Sequence, residues 1–333
     1  MSFAAERSPL KGIGLKVMAV TVFIAMAACI KAAQGDPVGG DGLPPGQAVW
    51  GRSFFALPVV IVWLWLRHDL RDGLKTVNPW GHVWRGLIGT AAMLTGFGAL
   101  GLLPLPQVTA IFYAIPVFTV ILAVIFLHER IRVFRLSAVL VGIAGVLIVA
   151  WPDLAMPDAI ASDGTLAAVR AVGAVLALTS AFLGGVAQVL IRRLVETEET
   201  AAIVFYFQLS ATVFGLATLP LAWVWETGFL QPWLMPSPLQ WLLLAAAGVL
   251  GGVGQILHTS AYRYADASVI APFEYASIVL AIAIGYVVFS EVPSENTLLG
   301  VTVVIAAGIF IIWREARLGM ERNRSKRIKT ING

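Results

Sequence analysis

The stretch Gln107–Glu129, QVTAIFYAIPVFTVILAVIFLHE, lies without gaps on Val269–Glu291, VIAPFEYASIVLAIAIGYVVFSE, at an offset of 162 residues. Tyr113 meets Tyr275, Phe112 meets Glu274, and Glu129 meets Glu291. Each copy then enters a Gly-containing apolar stretch, with Gly142 and Gly145 in the first and Gly300 and Gly308 in the second. Identity is low. The matched tyrosine and the matched terminal glutamate raise the pairing above shared hydrophobicity, and mark an internal repeat that organises the whole chain.

Composition says what kind of repeat this is. The chain has 333 residues, 59% hydrophobic and 13% charged, with a mean hydropathy of +0.85. Soluble domains carry roughly 25% charged residues, because a solvated surface needs them. Net charge is +4 and the pI about 9.4, but the charges lie at helix ends and in a basic tail, which excludes a nucleic-acid binder. Cys29 is the one cysteine, so neither a disulfide framework nor a cysteine metal site is available.

A spanning helix needs about 20 mostly apolar residues. Ten segments qualify: 12–34, 46–66, 81–103, 106–127, 134–151, 166–191, 200–225, 239–262, 268–289 and 297–314. Arg7 and Lys11 precede the first and Lys16 lies early in it, as in a signal peptide. Its length, the lack of a clear cleavage site and the spans that follow predict an uncleaved helix.

Short-loop Lys and Arg set orientation. With the N-terminus inside, 20 of the 23 basic residues fall on inner segments, Lys16 and Arg85 among them, and none in outer loops. Asp36, Asp41, Asp153, Asp158, Asp163, Glu226, Glu291 and Glu295 fall outside. Tryptophans cluster near both predicted interfaces, where indoles anchor. The expected fold is therefore all-α integral membrane, ten transmembrane helices, N-in/C-in. Residues 1–11 form a cytoplasmic N-terminus, 12–151 and 166–314 two five-helix repeats, and 315–333 a basic cytoplasmic tail. An odd unit leaves its second copy upside down. Inverted repeats are a hallmark of transporters, with the substrate near the midplane between halves.

The stretches PQVTAIFYAIPVFTVILAVIFLHERI and YRYADASVIAPFEYASIVLAIAIGYVVFSEVPS, each an apolar helix closed by Glu and followed by a Gly-containing helix, resemble the EamA-type drug/metabolite transporter superfamily. The likeness covers nearly the whole chain, and Lys31 and Arg52 fit the family's pattern. The family's usual Gly before the closing Glu is His128 in one half and Ser290 in the other. The resemblance implies a secondary transporter of small polar metabolites. Broad-range export of amino acids by alternating access is the nearest expectation, and a vitamin, nucleoside or siderophore-like substrate the alternative. It implies a multi-pass protein of the bacterial inner membrane, acting as a monomer, with a small-molecule substrate and the lipid bilayer as partners, no nucleic acid, no cofactor and no metal.

Charged groups inside a bilayer cost about 2.5–3.5 kcal/mol at mid-helix on insertion scales. Lys31, Arg52, Arg170 and Glu274 stand out. Arg52 sits about 9 Å and Arg170 about 6 Å below the predicted outer ends at 1.5 Å per residue. Either they snorkel, or with Lys31 they form an outer vestibule charge for a substrate carboxylate. Glu274 either faces the cavity as partner to a substrate amine or as proton acceptor, or is buried in a helix contact. Tyr113 and Tyr275 either line the cavity from opposite half-gates, with Phe112 beside Tyr113, or pack with satisfied hydroxyls. Gln255 and His258 share a helix face. Tyr206 and Gln208 are further polar groups at membrane depth, either cavity-lining or joining helices. Pro116, in mid-span, is the expected hinge.

Rival classes lack their signatures. No G-x-x-x-x-G-K-[ST] motif serves a pump, and neither H-E-x-x-H nor G-x-S-x-G serves an enzyme. No filter-like loop or charge ring marks a channel.

Overall fold

The computed structural model describes residues 8–35, 42–67, 73–127, 133–155, 164–224, 231–264, 273, 276–306 and 309–310. In chain order the helices are α1 (Pro9–Gln34), α2 (Pro45–Leu66), α3 (Pro79–Leu102), α4 (Leu105–Phe112), α5 (Ala114–Leu127), α6 (Val133–Ala155), α7 (Gly164–Leu194), α8 (Thr200–Val224), α9 (Pro238–Tyr264), α10 (Ala276–Phe289) and α11 (Glu295–Ala306). No strand occurs among the described residues.

Local chemistry sets the ends. Proline opens α1, α2, α3 and α9, where its missing N–H leaves no bond unmade and its φ suits a helix. Asn78 caps α3 by accepting from the Gly81 N–H at 2.9 Å. A reciprocal capping box starts α9: Gln240 N–H donates to Ser237 Oγ at 3.3 Å, and Ser237 N–H donates to Gln240 Oε1 at 2.8 Å.

Among the described residues, six helices are long and apolar enough to cross a membrane: α1, α2, α3, α7, α8 and α9. The other expected spans are shorter apolar pieces among the described residues. The outward faces carry large apolar groups such as Trp65, Val175, Val213, Leu242 and Val287, more than a water-facing surface tolerates.

The expected span 106–127 is not one straight helix. It breaks at Tyr113, whose N–H reaches back only to Ala110 O. Pro116, four residues after Phe112, has no N–H for the Phe112 carbonyl, so the ladder fails one turn before the proline. The bend expected at Pro116 therefore sits at Tyr113, and Pro116 is the third residue of α5.

Packing exchanges the halves. α1 lies along α9, α3 along α7, and α2 against both α8 and α9. The first helix of each expected half thus lies on the third helix of the other. Contact faces are built from alanine and glycine, including fully buried Ala33, Ala48, Ala99, Ala177 and Ala247, which let backbones approach closely. Gly145 and Gly300, on the helices after the two repeat copies, face each other. A Cβ on Gly145 would lie 2.9 Å from Gly300 O.

Candidate substrate cavity

A cavity of about 310 Å³ lies between the halves, walled by α1, α2, α3, α4, α7, α8, α9 and α10. That is within the usual size of small-molecule sites. Phe23, Met26, Phe97, Phe112 and Phe207 give it an apolar wall. Against this stand Lys16, Arg52, Arg85, Gln188, Gln255, His258, Tyr113 and Ser277.

Several expectations meet here. Tyr113 is buried at the α4–α5 break, with its hydroxyl 3.0 Å from Ser277 Oγ on α10. The helix break turns this tyrosine toward the other half. Phe112 sits beside it on the wall, and Gln255 and His258 enter together from α9. Lys16 Nζ lies 3.2 Å from His258 Nδ1, and the His258 ring sits edge-on to Phe23 and Tyr262. Tyr262 donates to Gln188 Oε1 at 2.6 Å.

Arg52 does not snorkel. It is 1% exposed, and its Nη1 donates to Gln208 Oε1 at 2.6 Å. Gln208 is not on the cavity wall but holds the arginine that is. Arg170 is half-buried and away from the wall, so Lys31, Arg52 and Arg170 do not form one vestibule. Tyr206 also lies elsewhere: its hydroxyl donates to Leu74 O at 3.0 Å and its ring packs 4.8 Å from that of His82, so it joins helix to loop. Glu274, Tyr275, Glu129 and the basic tail fall outside the described residues.

Lys16 and Arg85, assigned by sequence to inner flanks, are buried cavity residues. Their signal was position: both lie several residues inside an apolar span. The loop-charge tally absorbed them.

One end of the cavity wall is tied by Lys31. Its Nζ is 3.0 Å from Glu291 Oε1 and donates to Leu100 O at 3.1 Å and Leu103 O at 2.7 Å. Glu291 Oε2 accepts the Leu105 N–H at 2.8 Å. The ammonium thus serves the carbonyl end of α3 and the carboxylate the amide end of α4, each where the helix dipole favours that sign. Backbone geometry aims Glu291. After α10, Ser290 adopts φ 55°, and the Glu291 N–H donates to Gly285 O at 2.9 Å. The helix thus closes through a bond to a carbonyl six residues back, across a left-handed position of the kind that favours glycine. The family's glycine before the closing glutamate has its physical reason here, and this chain bears the left-handed conformation with serine.

A second tie joins the α2–α3 and α7–α8 connections. Glu198 Oε1 accepts from Thr76 Oγ1 at 2.9 Å and from the Val77 and Asn78 N–H groups at 3.0 and 2.8 Å, and Oε2 lies 3.4 Å from His82 Nε2. Arg263 donates to the Glu198 carbonyl and to Thr200 Oγ1. Burial opposes ionisation of Glu198, but bonds from Thr76, Asn78, Val77 and His82 outweigh it and hold the carboxyl below its ordinary pKa. A carboxyl depressed in the folded state stabilises above its unfolded value, near 4.3, and loses that contribution as pH falls through the folded one. Glu198→Gln is expected to lower unfolding free energy at pH 7 by about 1–3 kcal/mol. The gap to wild type should close as pH falls below 4.3, which melting curves at stepped pH will test.

The model of the EamA-like transporter family matches residues 11–151 and 171–314. The S-adenosylmethionine uptake transporter of Rickettsia felis is 28% identical over 287 residues, 86% of this chain and 89% of that protein. The pseudopaline exporter CntI of Pseudomonas aeruginosa is 29% identical over 304 residues, 90% and 94% of the two chains. The riboflavin transporter of Vibrio cholerae is 28% identical over 273 residues, 81% and 84%. A solved crystal structure aligns with a TM-score of 0.65 at 18% identity, covering 93% of this chain and 99% of that one, a likeness of fold alone.

Proposed function

This chain belongs to the EamA-like transporter family, and from that premise we propose that it is a secondary transporter moving a small polar metabolite by alternating access. Family and relatives' names support transport over catalysis. The observation that carries the reading is a cavity between the halves, walled by apolar rings with polar groups from both sides. We take the chain as ten spans in two inverted five-helix repeats, N-in/C-in, in the bacterial inner membrane. The exchanged packing of first and third helices supports this. Tyr275 and Glu274 are proposed, from the repeat alone, as counterparts of Tyr113 and Phe112.

Amino acids of broad range are the first substrates to test. A vitamin or siderophore-like compound is the second reading, favoured by the riboflavin and pseudopaline relatives. Purified protein in liposomes, offered labelled amino acids and riboflavin with and without a pH gradient, decides. Saturable amino-acid uptake supports the first reading, and riboflavin uptake alone replaces it with the second. No saturable flux of a wider metabolite panel by folded protein sinks the transporter reading. Tyr113→Phe is expected to reduce flux roughly five-fold, as loss of one neutral hydrogen bond allows. Unchanged flux in the Tyr113→Phe, Tyr275→Phe double variant gives these hydroxyls no role.

A further inference from the structure

Among the described residues, two largely buried cations have opposite charges beside them, as burial requires. Lys31 has Glu291, and Arg263 has Glu199 at 3.6 Å. The cavity differs. Arg85 is 4% exposed, and its Nε and Nη1 have no hydrogen-bond acceptor among the described residues. Its guanidinium lies over the Phe207 ring at 3.9 Å. Its Nη1 occupies the space that a Cβ on Gly89 would fill. Arg52 is seated in the same manner, its guanidinium where a Cβ on Gly251 would stand. Its acceptors are neutral: Gln208 Oε1 at 2.6 Å and Met26 Sδ at 3.4 Å. The two guanidiniums bear on each other electrostatically, as Lys16 and Arg85 bear on His258. No Asp or Glu stands among the described residues of the wall.

We propose that Arg85 and Arg52 form a subsite for the carboxylate of an organic acid, whose apolar body lies against the phenylalanines. Guanidinium donors match the planar carboxylate, and a cavity of about 310 Å³ walled by Phe23, Phe112 and Phe207 suits one anionic group on an apolar frame. Such a ligand supplies negative charge that the described residues of the wall lack. The inference rests on the transporter reading only in calling that ligand a substrate.

The test is binding, not flux. Purified full-length protein in detergent is titrated calorimetrically with 3-phenylpropionate, 3-phenylpropanamide and 3-phenylpropylamine, which share one apolar body. The carboxylate should bind roughly ten-fold or more tighter than the amide, the ratio a charge-assisted hydrogen bond confers, and the amine weakest. Arg85→Met should abolish that preference and Arg85→Lys retain part of it. Arg170→Met, away from the wall, should leave it intact. Melting curves establish that each variant is folded, and Arg52→Met provides a second variant should Arg85→Met fail to fold. Equal binding of acid and amide, tighter binding of the amine, an undiminished preference in Arg85→Met, or no binding of any of the three overturns the carboxylate subsite. The transporter reading stands or falls separately, on liposome flux: carboxylate binding without flux of any metabolite leaves the subsite and removes the carrier.

Discussion

Glu291→Ala is expected to lower the unfolding free energy by about 3 kcal/mol, as for loss of one partner from a largely buried ion pair. Lys31 and Glu291 are only 14% and 16% exposed. Removing the carboxylate leaves an ammonium among apolar groups with only the Leu100 and Leu103 carbonyls, and leaves the Leu105 N–H unpaired. Four elements meet at this point: the ends of α1, α3 and α10 and the start of α4. Loosening it should expose Cys29, half-buried two residues before Lys31. As the chain's one cysteine, it reports alone, and its labelling by a maleimide should quicken. The Lys31→Met, Glu291→Met double variant should recover much of the stability, because an apolar pair replaces a buried ion pair with little net loss. A Glu291→Ala protein within about 0.5 kcal/mol of wild type, the range of an inconsequential surface change, would falsify the tie.

The second large effect concerns two glycines on α9, with different outcomes. A Cβ on Gly248 would meet backbone of α2, with Arg52 O and Phe55 C each 2.9 Å away. Backbone cannot rotate aside, so Gly248→Val must part the helices, and overpacking of this kind costs about 1–3 kcal/mol or more. A Cβ on Gly251 would instead meet the far end of a side chain, with Arg52 Nη2 at 2.6 Å and Cζ at 2.8 Å. Gly251→Val is expected to fold nearer to wild type but to turn the guanidinium off Gln208 and out of its seat. Liposome flux should then fall about ten-fold or more, in line with losing a charge-assisted hydrogen bond. Melting curves beside flux separate the two. A Gly251→Val protein that transports normally would mean that Arg52 needs no fixed position.

Much of this was legible from residue type and spacing. The repeat places Tyr113 and Glu291, and both sit at structural junctions: one at the helix break facing Ser277, the other closing on Lys31. Gln255 and His258 share the cavity because three residues make less than one helical turn. Departures have a common cause. Pro116 announces a bend, but the lost bond belongs to Phe112, so the chain turns at Tyr113. Lys16 and Arg85 read as flank charges because loop counting ignores which way a helix face points. Tyr206 and Arg170 share the membrane depth of cavity residues and lie on other faces.

By itself, then, the sequence determined an all-helical membrane chain with an internal repeat. Twenty-residue apolar runs have no other way to satisfy their backbone in lipid, and the repeat stands in the residues themselves. Only the tertiary structure decided which polar groups share a cavity. That depends on the rotation of each helix and on where glycine lets two helices touch. Gly89 and Gly251 turn two arginines of separate helices into parts of one wall, and that is a relation between distant residues that no local pattern carries.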